Sequence, residues 1–214
     1  MAHLAPGACS VAFLLCLSIA PTAVAQECQP HFVYARVGSA TSTYLYYVYD
    51  IGEAVGPASL LLSAAIILDP HADESYWEQL IGPGFGIQRA SAGVTFLGHV
   101  SHASDAWYLE PSLYAWGVIG RLEGLAFGGL YAPLEEAGIR QYFLDPASLL
   151  LHVPNGVAVG ASYSLFGGDG LPTEQGAGPA LRIGDPSGIS LTMEHFREIE
   201  NFGPDWRVTL QALF

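Results

Sequence analysis

The stretch WRVTLQALF, Trp206 to Phe214, decides the reading of this sequence. Trp206, Val208, Leu210, Ala212 and Phe214 fall on one side of an extended chain, with Arg207, Thr209, Gln211 and Leu213 on the other. Successive side chains of a strand point to opposite faces, so a period of two marks a β-strand. The apolar face of that strand needs either a protein core or lipid against it.

The pattern recurs upstream. ISLTMEHFR (Ile189 to Arg197), VAVGASYSLF (Val157 to Phe166) and WYLEPSLYAWG (Trp107 to Gly117) each set an apolar face against one of small and polar residues. Between them, VPNG (Val153 to Gly156) and DPSG (Asp185 to Gly188) have the chemistry of tight hairpin turns. Longer polar segments, 98–106, 133–138, 167–178 and 197–205, are expected to be loops. Short turns alternating with longer loops are the habit of membrane β-barrels.

Gly84 to Phe214 holds roughly eight candidate strands, and FVYARV (Phe32 to Val37) and TYLYYVYDI (Thr43 to Ile51) add two. Leu60 to Leu68 shows no alternation and reads as either a strand or a short helix. The expected fold is all-β: an antiparallel up-and-down transmembrane barrel of about ten strands, with eight and twelve open.

The N-terminal region reads differently. Ser10 to Ala20 is an apolar run short for a bilayer span, and Ala23-Val24-Ala25 stands ahead of Gln26. Together they predict a cleaved secretory signal over 1–25, a short arm over 26–30 and one barrel domain over 31–214. Cys9 and Cys16 would leave with the signal, so Cys28 has no partner for an internal disulfide.

Charge narrows the function classes. The net charge is −13, there is no lysine, and the basic residues are seven arginines. Nucleic acid, which demands clustered positive charge, is excluded as a partner. No phosphate-binding loop or metal-ligand spacing is present, so no cofactor and no metal are expected. GPGFGIQRA (Gly82 to Ala90) is glycine-rich in a way that suits a bent or crowded strand. Acidic residues such as Asp73, Glu74, Glu135 and Glu136 read as solvated loop charge that could bridge to lipopolysaccharide through divalent cations.

Alternation alone cannot say whether the apolar face meets a core or lipid. The polar faces tip the choice, because they hold Ser, Thr, Gly, Gln and Tyr instead of the many Lys and Glu of a water-facing sheet. Their isolated charges also look paired. A hairpin turning near 200–201 brings Glu194 beside Arg207, with Arg182 on the preceding strand within reach of the same cluster. Glu110 and Gln211 complete the expected lumen lining. A charge enclosed in a narrow lumen is costly without such a partner.

The terminal segment resembles the C-terminal signature strand of Gram-negative outer-membrane proteins, an alternating strand ending in Phe. That resemblance implies a bacterial outer-membrane location, surrounding lipid and lipopolysaccharide, and recognition of Phe214 and Trp206 by the barrel-assembly machinery. A second motif, GHVSHASDAWYLE, holds His99-Val100-Ser101 and His102-Ala103-Ser104, followed by Glu110. It resembles the His-x-Ser and downstream Glu of outer-membrane lipid A deacylases. The resemblance implies Ser101 or Ser104 as nucleophile, His99 or His102 as base and Glu110 as orienting acid. The ordinary alternative is a solvated polar loop.

Three functions follow from the sequence. The leading one is a non-catalytic outer-membrane barrel: structural, adhesive or a narrow passive pore, in which an acidic lumen would favour cations. The alternatives are a lipid A-modifying hydrolase and a soluble periplasmic barrel that binds a small apolar ligand.

Overall fold

The computed structural model describes residues 31–40, 43–55, 58–69, 76–89, 92–103, 106–136, 138–185 and 188–213. The strands are β1 (His31–Gly38), β2 (Thr43–Val55), β3 (Ala58–Asp69), β4 (Tyr76–Arg89), β5 (Ala92–Ala103) and β6 (Ala106–Ile119). They continue as β7 (Leu122–Pro133), β8 (Gln141–Val153), β9 (Val157–Gly168), β10 (Leu171–Gly184), β11 (Ile189–Glu200) and β12 (Asp205–Leu213). Each pairs antiparallel with its neighbours in sequence, and β1 pairs with β12 to close the barrel. Closure leaves no unpaired sheet edge, which any sheet immersed in lipid requires.

Twelve strands is the upper of the expected numbers, for two physical reasons. Leu60 to Leu68 lies in β3, where Leu60, Leu62 and Leu68 face out while Leu61, Ala65 and Ile67 face in. Apart from Ser63 both faces are apolar there, so no alternation shows. Three of the expected long loops are also mostly strand: 98–106 spans the β5–β6 hairpin, 167–178 the β9–β10 hairpin, and β11 runs on to Glu200. Several of their polar residues, His99, Ser101 and Asp205 among them, point into the barrel, and polarity there does not signal a loop. The expected contrast between short turns and long loops is correspondingly muted. On the side of the β1 start and β12 end, successive strands are separated by two, two, two, three and four residues; on the opposite side, the loop end, by four, six, two, seven, two and four.

The proposed signal and arm, together with Ser104 and Phe214, lie outside the described residues.

The distribution of side chains is the reverse of a soluble barrel. Leu62, Ile81, Phe85, Phe96, Leu113, Leu149, Val208 and Leu210 stand exposed on the outer wall. Arg36, Glu110, Glu123, Asp145, Arg182, Glu194, Asp205 and Arg207 are buried inside. Burying charge and exposing hydrocarbon makes sense only where the surroundings are less polar than the interior. Close strand contacts are secured by glycine: a Cβ at Gly178 would lie 1.7 Å from the His195 carbonyl oxygen, and one at Gly160 would lie 1.9 Å from that of Leu149.

Candidate functional site

The lumen is crossed by side chains at three levels. Nearest the loop end, Asp145 on β8 is the hub. Arg36 Nη2 on β1 donates to its Oδ2 at 2.6 Å, Ser164 Oγ donates to Oδ1 at 2.7 Å, and Arg207 Nη1 donates to the same Oδ1. Arg207 also donates through Nε to Asp205 Oδ2 at 2.6 Å. Asp205 Oδ1 in turn accepts the Ser39 and Ala40 amides, each at 2.9 Å, which ties the start of the 39–42 loop to β12. Both guanidiniums lie over rings, Arg36 4.1 Å from the Tyr44 centroid and Arg207 4.2 Å from that of Phe196. In the closed order β1 and β8 are five strand steps apart. The Arg36–Asp145 pair therefore spans the lumen from nearly opposite walls.

At the middle level, His99 on β5 is fully buried. Its Nε2 lies 2.6 Å from Ser63 Oγ on β3 and 2.8 Å from the Tyr46 hydroxyl on β2. Tyr46 meets Phe127 of β7 edge to face, with centroids 6.4 Å apart. That contact also joins walls five strands apart. Nearest the termini, Arg182 on β10 grips both oxygens of Glu123 on β7, the second contact at 2.6 Å. His152 Nε2 lies 2.8 Å from the same carboxylate. Among the described residues, no three of His, Cys, Asp and Glu converge as a metal cage.

The residues singled out from sequence are only partly brought together. Glu194 and Arg207 are register partners on β11 and β12. The ion pairs of Arg207, however, go to Asp145 and Asp205. Arg182 belongs to a separate cluster with Glu123. Glu110 faces inward as the register partner of His99, with His99 Nδ1 and Glu110 Oε2 4.0 Å apart. Gln211 is half-buried on β12, between Tyr34 and Ser190. His99 and Ser101 share the inner face, yet the serine against His99 is Ser63, two strands earlier on β3. His102 instead faces out and packs on Trp107, with centroids 4.8 Å apart. Trp206 is exposed and stacks on His195 at 4.0 Å.

Sequence reasoning missed Arg36, Ser63, Glu123, Asp145 and Asp205. A signal existed for Arg36, which stands in phase with the polar positions of FVYARV. Asp145 gave none, because Asp-Pro inside a segment reads as a turn.

Comparison with known proteins places this architecture. No family model matches the sequence, and no curated protein matches it. Solved structures do. The KdgM porin aligns with a TM-score of 0.55 at 10% identity, covering 86% of this chain and 99% of the porin. The COG4313 outer membrane channel from Pseudomonas putida F1 aligns with a TM-score of 0.57 at 10% identity, covering 90% of this chain and 97% of the channel. The fold is one shared with outer-membrane porins. At this identity the likeness is one of architecture, and the lumen residues are this chain's own.

Proposed function

We propose that this chain is a bacterial outer-membrane β-barrel acting as a narrow passive pore, shut at rest, without catalytic activity. The observation that carries the reading is the Arg36–Asp145–Arg207 crossbar, which spans the lumen from nearly opposite walls with buried charge. A purely structural barrel could fill its interior with apolar groups at lower desolvation cost. Ion pairs that meet across a lumen form a closure that can open.

The outer wall supports the membrane setting. His31, Tyr47 and Tyr49 cluster near the termini, with His31 5.1 Å from the Tyr49 ring. Trp107, Tyr142 and Trp206 are exposed toward the loop end. From His31 to Ser39, whose amide donates to the Trp206 carbonyl, the strand covers roughly 26 Å at ~3.3 Å per residue. At a tilt near ~40° that is about 20 Å of height, close to the apolar band of outer-membrane barrels. The solved relatives are described as a porin and an outer membrane channel, and the porin is also seen in complex with disordered oligogalacturonate. Export by the N-terminal signal, assembly through Phe214 and contact with lipopolysaccharide belong to the same reading.

The buried lumen charges are three arginines, Arg36, Arg182 and Arg207, against five carboxylates, Glu110, Glu123, Asp145, Glu194 and Asp205, a balance of −2. Permeation, once the crossbar opens, favours cations. The hydrolase alternative draws no support from the site, since Ser101 and His99 are fully buried and an acyl chain has no approach to them.

The test is planar-bilayer recording of the folded chain. Wild type is expected to show rare, small openings, and Asp145→Ala frequent cation-selective ones. Silence from both, with each protein folded in the membrane, would make the barrel structural instead of conducting.

A further inference from the structure

Most of the outer wall is studded with large aliphatic and aromatic side chains, but the wall from β5 to β10 carries an apolar groove of about 660 Å³. Its axis is a single hydrogen-bonded row of outward-facing positions: Ala177, Tyr163, Ala147, Ala126, Ala115 and Val94 are successive register partners on β10, β9, β8, β7, β6 and β5. Exposed Leu113 bounds the groove on the side of the loop end, and exposed Leu151 and Val159 bound it on the other.

The row does not stop at Ala177. Its register partner on β11 is Arg197, an exposed outward-facing residue. Among the described residues Arg197 makes no ion pair. Of the acids nearby, Glu200 accepts from Gln175 Nε2 at 2.9 Å, Gln175 Oε1 in turn accepting from the Tyr163 hydroxyl at 2.8 Å, and Glu198, next in sequence, lies on the other face of β11 by strand parity. Arg197 also lies one outward position beyond His195, which stacks on Trp206. Aromatic residues of that kind mark the level of the lipid headgroups, so the guanidinium stands at phosphate depth.

We propose that this groove holds an anionic lipid, its phosphate beside Arg197 and one acyl chain laid along the row toward Val94. The proposal rests on the membrane reading above and adds a specific lipid site to it. Charge complementarity selects the headgroup, because the cation at the end of the apolar row, Arg197, is exposed and has no ion pair among the described residues. Length agrees. Five ladder steps at ~4.8 Å make a row of roughly 24 Å. With strands tilted by ~40° the row descends roughly 15 Å, the depth of one leaflet of a ~30 Å hydrocarbon core. A second copy of this chain is the less suitable occupant, since an apolar wall laid on the groove would bring no anion to Arg197 at its end.

The experiment uses the full chain folded in detergent, with folding verified by heat-modifiable gel migration. The protein is offered equimolar dioleoyl phosphatidic acid and dioleoyl phosphatidylcholine, and the retained lipid is read by native mass spectrometry. Phosphatidic acid should be retained in preference by on the order of tenfold, the effect of one charge-assisted contact. Arg197→Gln should abolish the preference, and Ala147→Leu, which fills the groove while suiting a lipid-facing wall, should lower retention of both lipids. Equal retention of the two lipids, or a preference that Arg197→Gln leaves intact, overturns the proposal. So does a dimer that Ala147→Leu disperses, because the groove then belongs to a second copy. A chain without heat-modifiable migration fails the membrane reading, and this site with it.

Discussion

Replacing Asp145 by alanine removes one carboxylate that serves Arg36, Arg207 and Ser164 at once. Arg207 keeps Asp205 at 2.6 Å, but Arg36 loses its ion-pair partner among the described residues. Its side chain is 2% exposed, so water cannot take the place of the lost carboxylate. Leaving one charge of a buried pair uncompensated costs about 3–5 kcal/mol, and the orphaned Ser164 hydroxyl adds about 1 kcal/mol. The expected loss is therefore about 4–6 kcal/mol. Arg36→Leu should cost less, about 1–3 kcal/mol, because Asp145 still accepts from Arg207 and Ser164. The double variant gives the sharper test. Once Arg36 is gone, no guanidinium at that position is left stranded, so Arg36→Leu in the Asp145→Ala background should restore about 2 kcal/mol or more. The assay is urea unfolding from phospholipid vesicles, followed by the fluorescence of the four tryptophans. A loss below about 1 kcal/mol for Asp145→Ala, or simple additivity in the double variant, would refute the crossbar as a buried charge hub.

Further expectations follow from other parts of the barrel. Leu149→Arg, on the outer wall, should cost about 2–4 kcal/mol in vesicles if that wall meets lipid, whereas a soluble barrel would accept it without measurable loss; the same urea assay decides. Ser63→Ala deprives His99 of a contact at 2.6 Å and should cost about 1–3 kcal/mol. Ser101→Ala, at a hydroxyl with no hydrogen-bond partner among the described residues, should be neutral or slightly stabilising and leave lipid A acylation in cells unchanged; altered lipid A on mass spectrometry would instead revive the hydrolase reading. Gly178→Ala sets a Cβ against the backbone of β11 and should prevent heat-modifiable folding, while Gly124→Ala, with nothing within 4 Å, should fold as wild type.

Much of this architecture is written in local pattern. The alternation of Trp206 to Leu213, the turn residues of 153–156 and 185–188, and strand faces without lysine made a β-barrel with a small and polar interior the leading reading, because side-chain direction in a strand depends only on parity. The structure puts Glu110, Arg182, Glu194 and Arg207 on the inner face that parity gave them. Parity could not say which charges meet. Glu194 and Arg207 are neighbours by hairpin register, yet the partner that holds Arg207 across the barrel is Asp145, 62 residues away in sequence. The same holds for His99: its sequence neighbour Ser101 shares its face, whereas Ser63 and Tyr46 reach its ring from other strands. Strand number failed locally for a related reason, since β3 is mainly apolar on both faces and hides its period. Sequence by itself determined the class of fold and the face on which each side chain lies. Closure of the twelve-stranded ring decided which side chains touch across the lumen, because contacts between walls five strands apart depend on the strand number and shear of the whole barrel, which no local pattern records.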